Sequence, residues 1–533
     1  MITAAAGEKD RSSREPFARL LLGGSGLLLA VSLLAGLSWL IAGGIAAIRY
    51  PYGIDYGEGI VWQQMLNIMS GTGYAPLGTF PAIVYHYPPL YHVTVGLSTV
   101  LFGTDGLATG RCVSLVATLV TAALIGLQGE RLARGMGAGA PRACGWVAGL
   151  GYLTCTPVID WAALMRVDML ASAFSAAGLL LAVQSPAKPA RIHGAALCFA
   201  LAIFTKQVSI AAPMAAFLAL LAVRPNLALV LAAECLALGG VATAALTEIT
   251  HGGFLRHIIL YNINRDVPAR LLMLEGPLLL HLPYLALAGA GALRVGRRLR
   301  DTAAARRAEP DAFATSLALL LFLMIKTAML AMIVKSGSAS NYLIEWFGAV
   351  LPFTALAATP ALASAILVLR RQTTALPKQT VLFAAILLVL AWQAVNLSGR
   401  TFASAARDRV DAAELRPIVA MITASHAPVI SDDMTLPIRA GRSVLWEPSI
   451  AAELAAVGRY DEAGFVRRVA AHELGFFVTV ADRGDWLFDS RYNPAVAAAM
   501  DMAYPRKRQV AGLTLHLPMP GRDPVLDRLI ARL

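Results

Sequence analysis

The sequence predicts a polytopic α-helical membrane protein with about eleven transmembrane helices and a small C-terminal α/β soluble domain. Three observations carry this. The 533-residue chain is 57% hydrophobic and only 15% charged, where soluble domains average about a quarter charged residues. Its apolar residues fall in long runs, and its basic excess, a net charge of +12, falls in the short links between them. After Asn396 the character changes to charged sequence with short apolar stretches. A basic balance also fits nucleic-acid binding, but the positive-inside bias of membrane loops accounts better for where these residues sit.

Residues 1–18 form a tail whose Lys9, Arg11 and Arg14, with Arg19, place the N-terminus in the cytoplasm. The first run, Leu20 to Ile48, is too long for a signal-peptide core and lacks a convincing cleavage site, so it reads as an uncleaved anchor. Runs near 105–128, 143–159, 164–184, 193–206, 207–223, 227–248, 274–293, 312–334, 342–369 and 379–397 complete the count, at ~20 residues per crossing. The pair 193–206 and 207–223 is short and reads as a hairpin. All five cysteines lie in or beside apolar runs without a CxxC pair, so they read as small buried residues.

Charge tests the parity. The predicted inside loops carry Arg131, Arg134 and Arg142; Lys188 and Arg191; Arg224; Arg294, Arg297, Arg298, Arg300, Arg306 and Arg307; and Arg370, Arg371 and Lys378. The predicted outside loops hold the acidic and aromatic residues. The membrane part is therefore 19–397, and 398–533 lies outside, which in a bacterial inner membrane is the periplasm. In this tail "APVISDD", "RSVLWEP", "LGFFVTV" and "VAGLTLHLP" read as strands, and 402–424, 461–473 and 493–504 as helices. It has no cysteine and must hold together by core packing.

The first outer loop, 49–104, opens on "PYGIDYGEGIVWQQ". Asp55 and Glu58 fit a capping box that starts a surface helix at 58–70. The same spacing puts two carboxylates on one face of a turn, where one can accept a proton from a hydroxyl. Both readings hold at once. A second interfacial helix, 88–103, begins at Pro88-Pro89. Further along, "DWAALMRVDMLASAF" places Arg166 and Asp168 in an apolar span, where a carboxylate needs a reason to exist. Arg111, Lys206 and Lys335 are cations at outer helix ends. Each alone reads as a snorkelling anchor, and together with Arg166 they make a candidate clamp for a phosphate. Tyr85, His86 and Tyr91, with Asn341, Tyr342 and Glu345 from "VKSGSASNYLIEW", are candidates for a substrate groove. His86 and His92 lack the spacing of a helical metal site, and no metal ligand set is assigned.

These motifs in this order, an acidic opening of the first outer loop and then "YPPLY", "GRCVSL", "RVDMLA", "FTKQ" and "GSASNYLIE", resemble the GT-C superfamily of polyprenyl-phosphate-sugar glycosyltransferases. The likeness is to the bacterial branch of protein mannosyltransferase-like and lipid A aminoarabinose transferase-like enzymes, and it covers the membrane part. "ISDD", "LWEP" and "RYNPAV" in the tail resemble the outer domain many of them carry. The resemblance implies transfer of a hexosyl or pentosyl group from a polyprenyl-phosphate-linked donor to a hydroxyl on a glycan, lipid or protein. The first-loop acid is then the base, and an acid like Asp168 supports it. Many members have adjacent carboxylates, whereas Tyr56-Gly57 separate them here, and Asp55 is taken as the base. No cofactor is assigned, and metal dependence stays open, since two carboxylates with phosphate oxygens could hold Mg2+ or Mn2+. The partners are the lipid-linked sugar, the acceptor and the bilayer, with no nucleic acid. The alternative is a lipid-sugar flippase or secondary transporter, which would show internal repeats and mid-membrane ionisable groups. No repeat is visible, and Lys326 and Glu234 read as isolated. An inactive scaffold is a third reading, which the presence of both Asp55 and Asp168 disfavours.

The charge pattern makes one prediction. A cysteine introduced at Ser490 should react with an impermeant thiol reagent in intact cells, and one at Ala304 only after permeabilisation. Labelling at position 304 in intact cells would defeat the assigned orientation.

Overall fold

The computed structural model describes residues 2–300, 309–372, 377–407 and 409–531. Arg306, Arg307 and Ala304 lie outside the described residues. The chain opens with α1 (Ile2–Arg49), α2 (Tyr56–Met69), α3 (Leu90–Phe102), α4 (Gly106–Gly135), α5 (Pro141–Tyr152) and α6 (Thr156–Trp161). It continues with α7 (Asp168–Ala182), α8 (Arg191–Thr205), α9 (Ala211–Val223) and α10 (Pro225–Ile249). Among the described residues six helices are long and apolar enough to cross a membrane: Pro16–Arg49, α4, α10, Pro310–Val334, Tyr342–Leu369 and Thr380–Phe402. A seventh forms if Pro268–Leu280 and Leu282–Arg300, bent by 84°, count as one span.

The runs expected to supply the other crossings are helical but short. α5, α7, α8 and α9 have 12, 15, 15 and 13 residues, reaching only about 18–23 Å at 1.5 Å per residue. Polar residues set their ends. α7 starts at Asp168, and α8 stops at Thr205 because Lys206 is extended (φ −150°, ψ 109°). Continuous hydropathy conceals such breaks, so the apolar runs read from the sequence do not give the lengths of the helices they form. Tyr342–Leu369 is the most enclosed of the long helices, packing on Leu282–Arg300, α5, α4 and α1, while α1 runs along Thr380–Arg407.

The first loop folds inward. α2 does not lie on a surface: Gly57 through Met65 are all buried, because residues 434–446 cover it. A Cβ on Gly59 would meet the Met434 backbone at 2.7 Å, so only glycine allows that approach. Gln63 accepts a hydrogen bond from the Val444 amide at 2.8 Å. α3 leaves apolar side chains uncovered, with Leu97, Val100, Leu101 and Phe102 exposed.

One ion pair closes this end of the bundle. Arg111 on α4 is fully buried, and its five N–H groups are all spent. Nε and Nη2 bond Glu58 at 2.8 and 2.7 Å. Nη1 donates to the carbonyls of Ala47 and Tyr50, and Nη2 also to that of Tyr52. Glu58, equally buried, further accepts from the Met165 and Ile54 amides, each at 2.8 Å. Arg111 therefore has no donor left for a substrate phosphate, and Glu58 no free face for catalysis. Both expectations give way to a structural role.

The C-terminal region carries a four-stranded sheet, β1 (Ile430–Ser431), β2 (Phe477–Thr479), β3 (Arg506–Val510) and β4 (Leu513–Leu517), in the order β1-β2-β4-β3. β1 and β2 are parallel; β4 is antiparallel to both β2 and β3. Three of the four expected strand segments are there, "VAGLTLHLP" being the second arm of a hairpin. Its Ala511-Gly512 turn has both residues at positive φ, as a two-residue hairpin requires. "RSVLWEP" instead forms a single bridge, Trp446 to Ala82 of the first loop. The helix expected over 402–424 is two helices, Thr380–Arg407 and Ala412–Ala424. Glu462–Ala470 and Pro494–Ala503 fall where expected.

Removing one member of the buried pair strands the other. Glu58→Ala or Arg111→Ala should lose about 3–5 kcal/mol, seen as a large fall in the melting temperature of the detergent-solubilised protein. A variant that melts with the wild type would show that the pair is dispensable.

Candidate active site

Asp55 is the N-cap of α2, and the capping box is complete: its side chain accepts from the Gly57 amide at 2.8 Å while Glu58 reaches back to the Asp55 amide. The same oxygen, Oδ2, accepts from Arg166 Nη1 at 2.9 Å. A Cβ on Gly57 would stand 1.4 Å from that nitrogen, so the glycine between the two carboxylates is what lets Arg166 reach Asp55. By the same capping box the Asp55 carboxylate also takes the Glu58 amide, and Asp55 lines a cavity of about 530 Å3. Asp160, Asp432, Asp433, Arg409 and Arg491 also line it, so membrane part and C-terminal region share its wall.

That far wall is well fixed. Arg491 pairs with Asp432 at 2.9 Å and stacks over the Tyr56 ring at 4.1 Å. Burial raises the Asp432 carboxyl above its ordinary range, against the pull of Arg491. Asp433 holds the Thr435 hydroxyl at 2.6 Å, and that hydroxyl accepts from the Gly53 amide at 2.9 Å. Arg439 clamps Asp105 and the Pro51 carbonyl.

On its other side Arg166 leads to a narrow cleft. Asp168 is 2% exposed and is bound by Lys206 at 2.5 Å, Asn341 at 2.8 Å and the Trp161 indole at 3.2 Å. Lys206 also faces the Tyr342 ring at 5.5 Å. Lys326 pairs with Glu345 at 2.8 Å, and all six of Asp168, Lys206, Lys326, Asn341, Tyr342 and Glu345 line the cleft. The chain thus brings together Asp168, Lys206, Asn341, Tyr342 and Glu345 as the sequence suggested.

Other expectations fail on burial. Tyr85 is 1% and Tyr91 0% exposed. The Tyr85 hydroxyl accepts from Asn67, and the Tyr91 hydroxyl donates to the Gly110 carbonyl, so both belong to the core and not to a groove. His86 is held by neither; burial, His257 and Arg166 together lower it to about 4, which keeps it neutral. Lys335 is half-buried, bridges Asp266 through its backbone and does not line the cleft. Lys326 takes its place there. It is not isolated, and neither is Glu234, which pairs with His193 at 2.6 Å. The signal for Lys326 was its position: a lone cation within an apolar helix must face the interior.

Asp55, Glu58 and Asp168 each already bind their own Arg or Lys, and no group of three His, Cys, Asp or Glu among the described residues could hold a metal.

The helical bundle with its membrane-length helices and α/β region has a fold that solved structures share. No family model and no curated protein matches the chain. ArnT from Cupriavidus metallidurans in the apo state aligns with a TM-score of 0.57 at 13% identity, over 92% of this chain and 96% of that one. The same protein bound to undecaprenyl phosphate aligns at 0.53 and 14% identity, over 93% and 98%. The archaeal oligosaccharyltransferase AglB from Archaeoglobus fulgidus, in complex with an inhibitory peptide and a dolichol-phosphate, aligns at 0.55 and 12%, over 85% and 68%. At these identities the likeness is one of fold.

The Asp168–Lys206 pair gives a stability test. Lys206→Met should cost about 3–5 kcal/mol by leaving Asp168 buried and uncompensated, whereas a Lys206→Met, Asp168→Leu double variant should recover most of it. Melting curves of the three proteins decide; equal losses in single and double variants would show that the pair is not energetically coupled.

Proposed function

We propose that the protein transfers a sugar from a polyprenyl-phosphate-linked donor to an acceptor hydroxyl on a glycan, lipid or protein, at the periplasmic face of a bacterial inner membrane. In this reading the shorter helices complete the eleven crossings, and 398–533 is a periplasmic domain. The observation that carries the proposal is Asp55, a carboxylate oriented by the Gly57 amide and Arg166 on the wall of a large cavity. The cleft that holds Lys206 and Lys326, each paired with a carboxylate, and the lipid phosphates bound by the two structural neighbours support the same reading.

The chemistry follows from the charges. An acceptor hydroxyl entering the cavity loses its proton to Asp55 as its oxygen forms the new bond to the sugar carbon. The bond from that carbon to the phosphate oxygen breaks, and the electron pair stays on the phosphate. Such a leaving group needs its growing charge neutralised more than it needs a proton. Lys206, Lys326 and Arg166 are positioned to supply that. Asp168 orders Lys206 and Asn341, which makes it a positioning residue. Lys335 is left out of the clamp because it stands outside the cleft. No step is routed through a metal, since Asp55, Glu58 and Asp168 are each paired with a cation. A flippase or secondary transporter would need paired mid-membrane groups spread over two related halves, whereas the ionisable groups here gather around Asp55 and Asp168.

Asparagine caps a helix about as well as aspartate but takes up no proton. Asp55→Asn should therefore keep the cap and fold, melt below the wild type because Arg166 loses its anionic partner, and transfer sugar ~10²–10⁴-fold more slowly. The measurement is transfer by purified protein in nanodiscs from a polyprenyl-phosphate sugar. A stable and fully active Asp55→Asn protein would leave Asp55 as a helix cap alone.

A further inference from the structure

The buried carboxyl of Glu447 belongs to neither the cleft nor the cavity wall. It is the N-cap of helix Pro448–Ala456 yet caps nothing through its side chain. It is 6% exposed, and its Oε2 is buried without a hydrogen-bond partner. Its backbone is pinned to the first loop, since Ala82 donates to the Leu445 carbonyl and Val444 to Gln63, both at 2.8 Å. Trp446, stacked on Phe465 at 4.0 Å, fixes it from the other side. The groups around it are Arg166 from the link before α7, Tyr56 at the start of α2, and Arg491 with its partner Asp432 from the C-terminal region. Beyond Arg166 stand Asp55, bonded to it, and His86, which is neutral above about 4. Arg166 itself has a buried Nε with no partner. Two orphan groups of opposite character, Glu447 Oε2 and Arg166 Nε, thus flank Tyr56 and its neighbour Asp55: the Ser449 amide, two residues after Glu447, donates to the Tyr56 hydroxyl at 3.4 Å, and Arg166 bonds Asp55.

We propose that Glu447 is a positioning residue for the transfer reaction: its neutral carboxyl leaves the Arg166 guanidinium to Asp55, and its ionised form competes for that guanidinium. The C-terminal region then contributes a control element to the site and not only a wall. This rests on the reading of Asp55 as the base. Burial pushes the Glu447 carboxyl up to about 8, with Arg166 and Arg491 pulling it down, so the competing form appears just above neutral pH. The folded value lies above the unfolded one. The group's contribution to stability is therefore full below the unfolded value and is lost as pH rises through about 8.

The test is the pH profile of kcat/KM from pH 6 to 9.5, for wild type and for Glu447→Gln, which keeps the shape and stays neutral. Wild type should fall about tenfold between pH 7 and 9, as expected for loss of a proton near 8, and Glu447→Gln should not fall. Its melting temperature should also exceed that of the wild type increasingly from pH 5 to 8. Glu447→Met, of similar volume, is the second variant should the Gln protein fold poorly, and its profile should be equally flat. A variant that falls with pH as the wild type does overturns the proposal, even if its melting temperature shifts, because Glu447 is then structural only. The base reading fails separately: an active Asp55→Asn overturns that assignment, whereas an inactive Asp55→Asn with an unmoved Glu447→Gln profile overturns this one alone.

Discussion

The bidentate pair between Arg111 and Glu58 is the constraint on which the rest of the site hangs. A guanidinium buried without partners would be prohibitively costly, so five acceptors must be delivered to one point. They come from the end of α1, the link at 50–52 and α2, while the Met165 amide fixes the far side of Glu58. Four separate stretches are thereby held in one register. Arg166, one residue beyond Met165, is then set at the height of Asp55, three residues before Glu58. The two acid–arginine pairs are neighbours, and the fully enclosed one orients the partly open one.

This division of labour resolves the double meaning of the opening motif. The spacing of Asp55 and Glu58 serves a capping box and a site at once, but the two carboxylates part company by burial. Glu58 meets only protein, and Asp55 lines a cavity. Gly57 between them is the point of contact, since any side chain there would occupy the place of the Arg166 guanidinium.

Much of this was legible in the sequence because membrane insertion penalises charge so heavily. Asp168 and Lys206 stood out as polar residues at the ends of apolar runs, and they meet Asn341 and Tyr342 as the order of motifs implied. The starts of α2 and α3 could be read from Asp55 and from Pro88-Pro89. What failed did so for identifiable reasons. Arg111 and Arg166 look alike in sequence, and only the five carbonyl and carboxylate oxygens around the first show it to be structural. Tyr85 and Tyr91 sit in a loop rich in aromatics, where interface and core residues have the same composition. Lys326 seemed isolated because Glu345 is on another helix. Hydropathy gave the apolar character of α5, α7, α8 and α9 but not their lengths, because it averages over the polar breaks that end them. The role of "LWEP" was out of reach, since its bridge to Ala82 joins segments separated by most of the chain.

The cavity beside Asp55 has walls made at very different moments. Asp55 lies near the beginning of the chain, and Asp432, Asp433 and Arg491 follow about 380 or more residues later. At a synthesis rate of ~5–20 residues per second, roughly 20–75 s separate the first wall from the second. Throughout that interval α2 lacks the segment at Met434 that covers Gly59, and a nascent chain carries only half of the pocket. Ribosome-bound and prematurely terminated chains therefore lack a complete chamber, so closure of the chamber is tied to completion of synthesis without any separate switch.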